Sequence, residues 1–352
     1  MKVNIKEFLP RFAFYTQNGE LHVFSDVKKS QAEPKDERWI HWPDFYHLPF
    51  EFLTYQNHYT FKISEMSSGL SEVPLSFDFK PPVKKQFEET FAHLQTLFQE
   101  KALDKAVPVV WSESVKIPSQ EEVSQLVQAL LSLPFHFHCY GVLTEKVCIL
   151  GASPEYLVQI VPDEPQTQKL LCVAVAGTRL SEKLDATEFL NAAKDREEHQ
   201  FVIEDIRKKL KKIGIVQQGE TRIQNFGLIS HLVTEFEVPL GMAQLNLKQI
   251  YLLIKTMHPT SALGLYSKTM FWKEAEIFPG QQGRHRKFGA PLTFSTKNGI
   301  KSVVAIRNLI WDQHKTYLSV GCGVTAKSQL DKEWDELYNK TRAVMRLFGI
   351  QS

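Results

Sequence analysis

The sequence predicts an α+β fold: sheet covered by helices, without the strict strand-helix alternation that builds a parallel sheet. Three observations lead there. Short apolar runs of strand length are mixed irregularly with amphipathic helical stretches. Of 352 residues, 43% are hydrophobic and 23% charged, enough to bury an extensive core. No fixed-period repeat and no low-complexity segment interrupts the chain.

The elements follow in order. Residues 1–80 are rich in aromatics, with strand-like runs such as Leu21-His22-Val23-Phe24, broken by a polar surface loop at 28–38. Lys80-Pro81-Pro82 then gives way to helical periodicity, with Phe87, Phe91, Leu94, Leu97 and Phe98 on one face and an end near 103. A β-like segment at 106–117 precedes a helix whose Ser119 and Glu122 have the spacing of a capping box, with Val123, Leu126, Leu130 and Leu131 as its buried stripe. Strands are expected at 135–143, 147–150, 156–161 and 170–174, and one long helix at 186–213. The second half adds a helix at 247–257, strands at 303–311 and 316–321, and a last helix capped by Ser328 and running to Phe348.

Composition excludes several function classes. Forty-two Lys and Arg against forty Asp and Glu leave a net charge of +2, so neither a nucleic acid nor an anionic membrane is an expected partner. Residues 1–12 mix charge with apolar residues and lack a secretory core, and no run approaches the roughly 20 apolar residues of a membrane span. Cys139, Cys148, Cys172 and Cys322 lack CxxC spacing, so free thiols in a reducing cytoplasm are expected.

Three acidic positions share faces with buried stripes. Glu198 lies four and eight residues before Val202 and Ile206, and Glu333 and Glu336 precede Leu337, Lys340 and Val344 at helical spacing. Carboxylates without His or Cys at ligand spacing suit a hard ion such as Mg²⁺. The same residues also fit plain solvated pairs, Glu198 with Lys194 and Glu336 with Lys340. His136 and His138 could share a strand face but lack a third ligand. Gly321-Cys322-Gly323 before a helix lacks the rest of a phosphate-loop signature, though its amides could meet a carboxylate. Lys105, by itself, reads as a surface lysine at the entry of an apolar strand. Glu155, in CILGASPEYLV, is a carboxyl between two apolar runs.

Leu103-Asp104-Lys105, Gly151-Ala152-Ser153-Pro154-Glu155, Ala176-Gly177-Thr178-Arg179, Lys194-Asp195-Arg196-Glu197-Glu198-His199, His258-Pro259-Thr260, Val304-Ala305-Ile306-Arg307, and Gly321-Cys322-Gly323-Val324 with Glu333-Trp334-Asp335-Glu336 stand in one order. In that order they resemble the chorismate-utilising enzymes: isochorismate synthase, salicylate synthase, and component I of anthranilate and aminodeoxychorismate synthases. The resemblance covers about residues 103–340. It implies a single large α+β domain with two sheet layers covered by helices around a central site, residues 81–352 forming the chorismate-binding core and 1–80 an extension of the same domain.

It also implies roles. Glu198, Glu333 and Glu336 resemble the Mg²⁺ carboxylates, and the ion would hold the ring carboxylate of chorismate. Arg307 resembles the arginine that clamps the enolpyruvyl carboxylate. Gly177, Thr178 and the amides around Gly321 and Gly323 would meet carboxylates, and His231 would stand near the enolpyruvyl side. Lys105 matches a general base that activates water for attack at C2, and Glu155 a general acid that protonates the departing C4 hydroxyl. An acid must be protonated at working pH, and the apolar flanks of Glu155 shift it in that direction.

The nucleophile decides the subclass. Ala262-Leu263 resembles isochorismate synthases, whereas aminating and salicylate-forming members usually carry Thr in the place of Ala262, so water attack and release of isochorismate for quinone or siderophore synthesis are expected. A monomer without a glutaminase subunit is expected with it. The LLES-type element of feedback-regulated anthranilate synthases is not visible in the N-terminal region. Ser261 in place of Pro, Gly264-Leu265-Tyr266, and GQQGRHRK at 280–287 depart from the family pattern around the site entrance. An aminating synthase subunit, a salicylate synthase, and a non-catalytic chorismate-binding protein are the alternatives.

Overall fold

The computed structural model describes residues 5–66, 75–164, 166–242, 245–267 and 286–351. Two sheets dominate it, and every ladder between their strands is antiparallel among these residues. In the first, eight strands run in the order Asn57–Lys62, Glu20–Ser25, Phe12–Gln17, His138–Leu143, Val147–Ser153, Asn308–Asp312, Thr316–Gly321, Val109–Ser114. The second is centred on Ile229–Gly241, Gln168–Leu180, Tyr156–Pro162, Gly299–Val304 and Pro291–Thr296, with Trp39–His41 added from the N-terminal region. The N-terminal strands thus extend both sheets. Their hairpin turns at Asn18-Gly19, where φ is 52° and 80°, the left-handed pair that matches strand twist.

Among the described residues the α-helices are α1 Lys84–Gln99, α2 Gln120–Leu131, α3 Ala186–Asn191, α4 Ala193–Leu210, α5 Leu247–Met257 and α6 Leu330–Leu347. α1, α2 and α6 pack on the outer side of the first sheet, and α4 and α5 on that of the second. Side-chain alternation sorts the layers. Along Gly299–Val304, Ile300 and Val304 join the core under α4 and α5, while Val303 joins Tyr15, Phe24, Tyr140 and Phe294 between the sheets. Phe24, Tyr140 and Phe294 are wholly buried there. Each such ring removed from water stabilises the sandwich by about 1.5–3 kcal/mol.

The sequence-based elements mostly stand, with instructive differences. The Ser119–Glu122 capping box forms in both directions. The long helix expected at 186–213 is two helices, because Ala192 is extended at φ −63° and ψ 118°. Ser328 is not the cap of α6: its hydroxyl accepts from the Thr325 amide, and Gln329 stands at the N-cap without a side-chain bond. The strand expected at 303–311 is cut at 305–307, where the chain leaves one sheet for the other.

That cut and one other position the site. The chain crosses from the first sheet to the second at Pro154-Glu155 and returns at Ala305 to Arg307. The two crossings are stitched together, Val304 N donating to Glu155 O at 3.2 Å and Ala152 N to Arg307 O at 3.1 Å. A third, small sheet lies alongside, with Lys105–Ala106 between Leu265–Tyr266 and Val324–Thr325.

Candidate active site

Glu155, Gly177, Thr178, Glu198, His231, Ala262, Leu263, Arg307, Gly321 and Gly323 line one pocket. They come from both sheets, α4, and the loop after α5. Residues far apart in sequence meet because both crossings open at this place.

Glu155 is 2% exposed, and its Oε1 accepts from Thr260 Oγ1 at 3.4 Å. Burial pushes its pKa from the ordinary 4.5 to about 8, against the Thr260 hydrogen bond and the charge of Lys105, which pull it down. Ser153 holds the turn: its hydroxyl donates to Glu155 O at 2.8 Å and accepts from Glu155 N at 3.1 Å. The result is a carboxyl that keeps its proton at neutral pH, facing a cavity.

Arg307 is the pocket's buried cation. Its φ of 51° is left-handed for a non-glycine residue, a strain set by the crossing. Nη2 donates to His231 Nε2 at 2.5 Å, which leaves His231 Nδ1–H to donate to Gly177 O at 2.9 Å. Burial, then the Arg307 charge, holds His231 well below its usual range, consistent with a neutral ring serving as acceptor. The guanidinium packs over Phe226 and Phe137, at 5.2 and 5.8 Å, and Nη1 is buried without a hydrogen-bond partner. Burial lowers its pKa to about 9. A buried guanidinium with an unfilled donor and, among the described residues, no carboxylate paired with it is built to receive an anion. Gly177, at φ 71°, lies in a register shift between Ala176 and Thr178 that turns its carbonyl toward His231.

Lys105, a surface lysine by sequence alone, is wholly buried. Its Nζ stands 3.1 Å from Glu198 Oε1, behind the Gly321-Cys322-Gly323 turn. Glycine is needed at 323: an added Cβ would strike Glu198 Oε1 and approach Lys105 Cε to 3.1 Å. Burial would raise the Glu198 pKa, but the charges of Lys105 and Lys340 outweigh it, and the carboxylate stays below its ordinary value.

Glu198, Glu333 and Glu336 are each engaged by a lysine. Glu333 is wholly buried and takes Lys194 Nζ on Oε1 at 2.6 Å, and Glu336 takes Lys340 at 2.8 Å. Lys340 also donates to Gly321 O at 2.8 Å and lines the pocket. The solvated pairing of Glu198 with Lys194 is replaced by a buried pairing with Lys105. Among the described residues no three His, Cys, Asp or Glu side chains stand close enough to hold an ion. The donor chemistry nonetheless suits a hard cation, and Glu333 Oε2 is buried without a well-formed hydrogen bond, an oxygen that such a cation would satisfy. Burial and the Glu336 charge raise the Glu333 pKa, against Lys194.

Thr260, Lys340 and Lys194 were not singled out as site residues from the sequence. Their signals were present: Thr260 lies in the His258-Pro259-Thr260 run and Lys340 one turn beyond Glu336. His138 and His136 are not brought into a metal group among the described residues. His138 Nδ1 faces Lys301 Nζ at 3.2 Å inside the sandwich, and the His136 ring stacks on Phe137. Of the 280–287 departure, 280–285 lie outside the described residues, while Arg286 packs over Phe45 at 3.9 Å. No helix among the described residues is long and apolar enough to cross a membrane.

Comparison with known proteins follows the same lines. The family profile described as chorismate binding enzyme matches residues 8–349. The chain is 30% identical over 204 residues to the salicylate biosynthesis isochorismate synthase of Pseudomonas aeruginosa, covering 56% of this chain and 41% of that one. It is 23% identical over 219 residues to the anthranilate synthase component 1 of Aquifex aeolicus, covering 60% of this chain and 43% of that one. The chain thus spans less than half the length of either relative. In fold it is similar to the menaquinone-specific isochorismate synthase of Escherichia coli, with a TM-score of 0.78 at 14% identity, covering 98% of this chain and 91% of that one.

Proposed function

The chain belongs to the chorismate-binding enzyme family, and from that premise we propose that it is an Mg²⁺-dependent isochorismate synthase. The observation that carries the reading is Glu155: a carboxyl held protonated by burial, in a pocket also lined by a guanidinium whose Nη1 is an unfilled donor. Such a pairing suits a dianionic substrate that must lose a hydroxyl. Expulsion of hydroxide is unfavourable at neutral pH, and protonation by a positioned acid removes that barrier.

In this reading Arg307 Nη1 and Nη2 bind one substrate carboxylate, with His231 fixing the guanidinium plane and Gly177 fixing His231. The amides at Gly321 and Gly323 and the hydroxyl of Thr178 face the other. Lys105 takes a proton from water as it attacks C2, Glu155 gives its proton to the C4 hydroxyl, and the ring double bonds shift between the two carbons. When bound at Glu198, Glu333 and Glu336, Mg²⁺ would supply positive charge against the ring carboxylate. Lys340, at the pocket wall, adds a second cation on that side. Acting as the base, Lys105 must present a neutral amine as water attacks C2, so the charge of Glu198 must then be met elsewhere.

Water rather than ammonia is favoured by Ala262 and Leu263, which line the pocket with apolar surface where the aminating members carry a hydroxyl. The aminating reading keeps one observation in its favour, the anthranilate synthase component 1 among the relatives. We further propose that 1–80 and 81–352 act as one domain and that the chain works as a monomer without a glutaminase. Incubation of purified protein with chorismate and Mg²⁺, followed by chromatography, tests the reading. Isochorismate is expected with or without ammonia. An aminated product formed only with ammonia, or no turnover, would overturn it.

A further inference from the structure

The loop after α5 carries Thr260 against the acid and Ala262 and Leu263 against the pocket, yet this chain has Ser261 where a proline is usual in its family. What holds the loop is on α4. Lys209 Nζ donates to Pro259 O at 2.5 Å and Met257 O at 3.3 Å, and pairs with Asp205 Oδ2 at 2.9 Å. Asp205 Oδ2 also accepts the Ser261 amide at 2.9 Å, a donor that a proline would not have, and the Ser261 hydroxyl donates to Phe201 O at 3.2 Å. Ser261 is 1% exposed, so its amide must be satisfied within the protein.

We infer that Asp205 and Lys209 are positioning residues that clasp the 257–261 loop to α4 and thereby set Thr260 on Glu155. The same helix carries Glu198, which holds Lys105, and the same loop runs on into Leu265–Tyr266, whose Tyr266 pairs with Lys105 in the small sheet. Tyr266 Oη is tied to α4 as well, donating to Glu204 Oε2 at 3.2 Å. One helix and one loop therefore locate both proton-transfer groups, and a clasp between them fixes their separation. Ser261 replaces the rigidity of a proline ring with two hydrogen bonds to the helix.

The inference rests on the catalytic roles proposed for Glu155 and Lys105, but its central test does not require turnover. The protonated Glu155 carboxyl gives an infrared band assignable by its loss in Glu155→Gln, and its titration midpoint reports the Thr260 contact. The other charge acting on this carboxyl is that of Lys105, and the carboxyl in turn helps to raise the neighbouring Cys172 thiol. Because the Thr260 hydrogen bond lowers the midpoint, Thr260→Val should move it up, and Asp205→Ala should move it the same way, with Asp205→Asn restoring it. On chorismate, Asp205→Ala should lower kcat on the order of ten- to a hundredfold with KM changed far less. Should Asp205→Ala not fold, Lys209→Met reads the same midpoint. A midpoint unchanged in both clasp variants, or in Thr260→Val, would overturn the clasp. Shifted midpoints in a protein that makes no isochorismate would support it and overturn the reaction instead.

Discussion

Glu155 shows how surroundings set the protonation of a single residue. Buried at a sheet crossing, it keeps a proton that an exposed carboxyl would have released, and the released form gains stability only from Thr260 and Lys105. The shift is also a statement about stability. Its pKa is raised from 4.5 to about 8 in the fold, so the stability owed to the neutral carboxyl is full below about pH 4.5 and is lost as pH rises through about 8. Glu155→Gln should thus match the wild type near pH 4 and exceed it near pH 9 by roughly 2–5 kcal/mol, measured by denaturant unfolding at the two pH values. With Glu155 as the acid, the same titration predicts that kcat/KM falls above about pH 8, where the free enzyme's carboxyl has lost its proton. A variant equal to the wild type at both pH values would show that Glu155 is not the group that burial shifts.

At the scale of elements, the Gly321-Cys322-Gly323 turn makes room for a contact that its sequence did not announce. It is no phosphate loop; Gly323 leaves the space in which Glu198 meets Lys105. Gly323→Ala should push Glu198 off Lys105 at a cost of about 1–3 kcal/mol and abolish turnover. Unchanged activity on chorismate would show that the Lys105–Glu198 contact is dispensable. Periodicity made α2, α5 and the strand Thr316–Gly321 legible, because each has a strong apolar pattern and clear punctuation. It missed the break at Ala192 and the crossing at 305–307, where tertiary constraints bend an apolar stretch without any Gly or Pro. The strand Ile229–Gly241 was missed too, although His231 within it was singled out by resemblance.

Over the whole molecule, the sandwich brings crossings 150 residues apart in sequence into contact, and the site is a by-product of that topology. Burial of Lys105 could not be read from its neighbours, since it depends on Val324–Thr325 and Leu265–Tyr266 closing around a two-residue strand. The lysine pairing of the three carboxylates was likewise hidden, because Lys194 meets Glu333 across 139 positions. The motifs themselves were legible because each is local. Stability of the frame rests on the layer between the sheets, where Phe294 touches Tyr15 and Phe24 at ring distances of 5.1 and 5.6 Å. Phe294→Ala should cost about 3–5 kcal/mol by urea unfolding; a loss below about 1 kcal/mol would mean that the two sheets are not held together there.

In the proposed reaction water, activated on one side of the ring, replaces a hydroxyl protonated by Glu155 on the other. The direct measurement is turnover of chorismate with Mg²⁺ in ¹⁸O-enriched water, with the product read by mass spectrometry. The expected result is isochorismate carrying one ¹⁸O, in the new C2 hydroxyl. Isochorismate without the label, or no isochorismate at all, would contradict it.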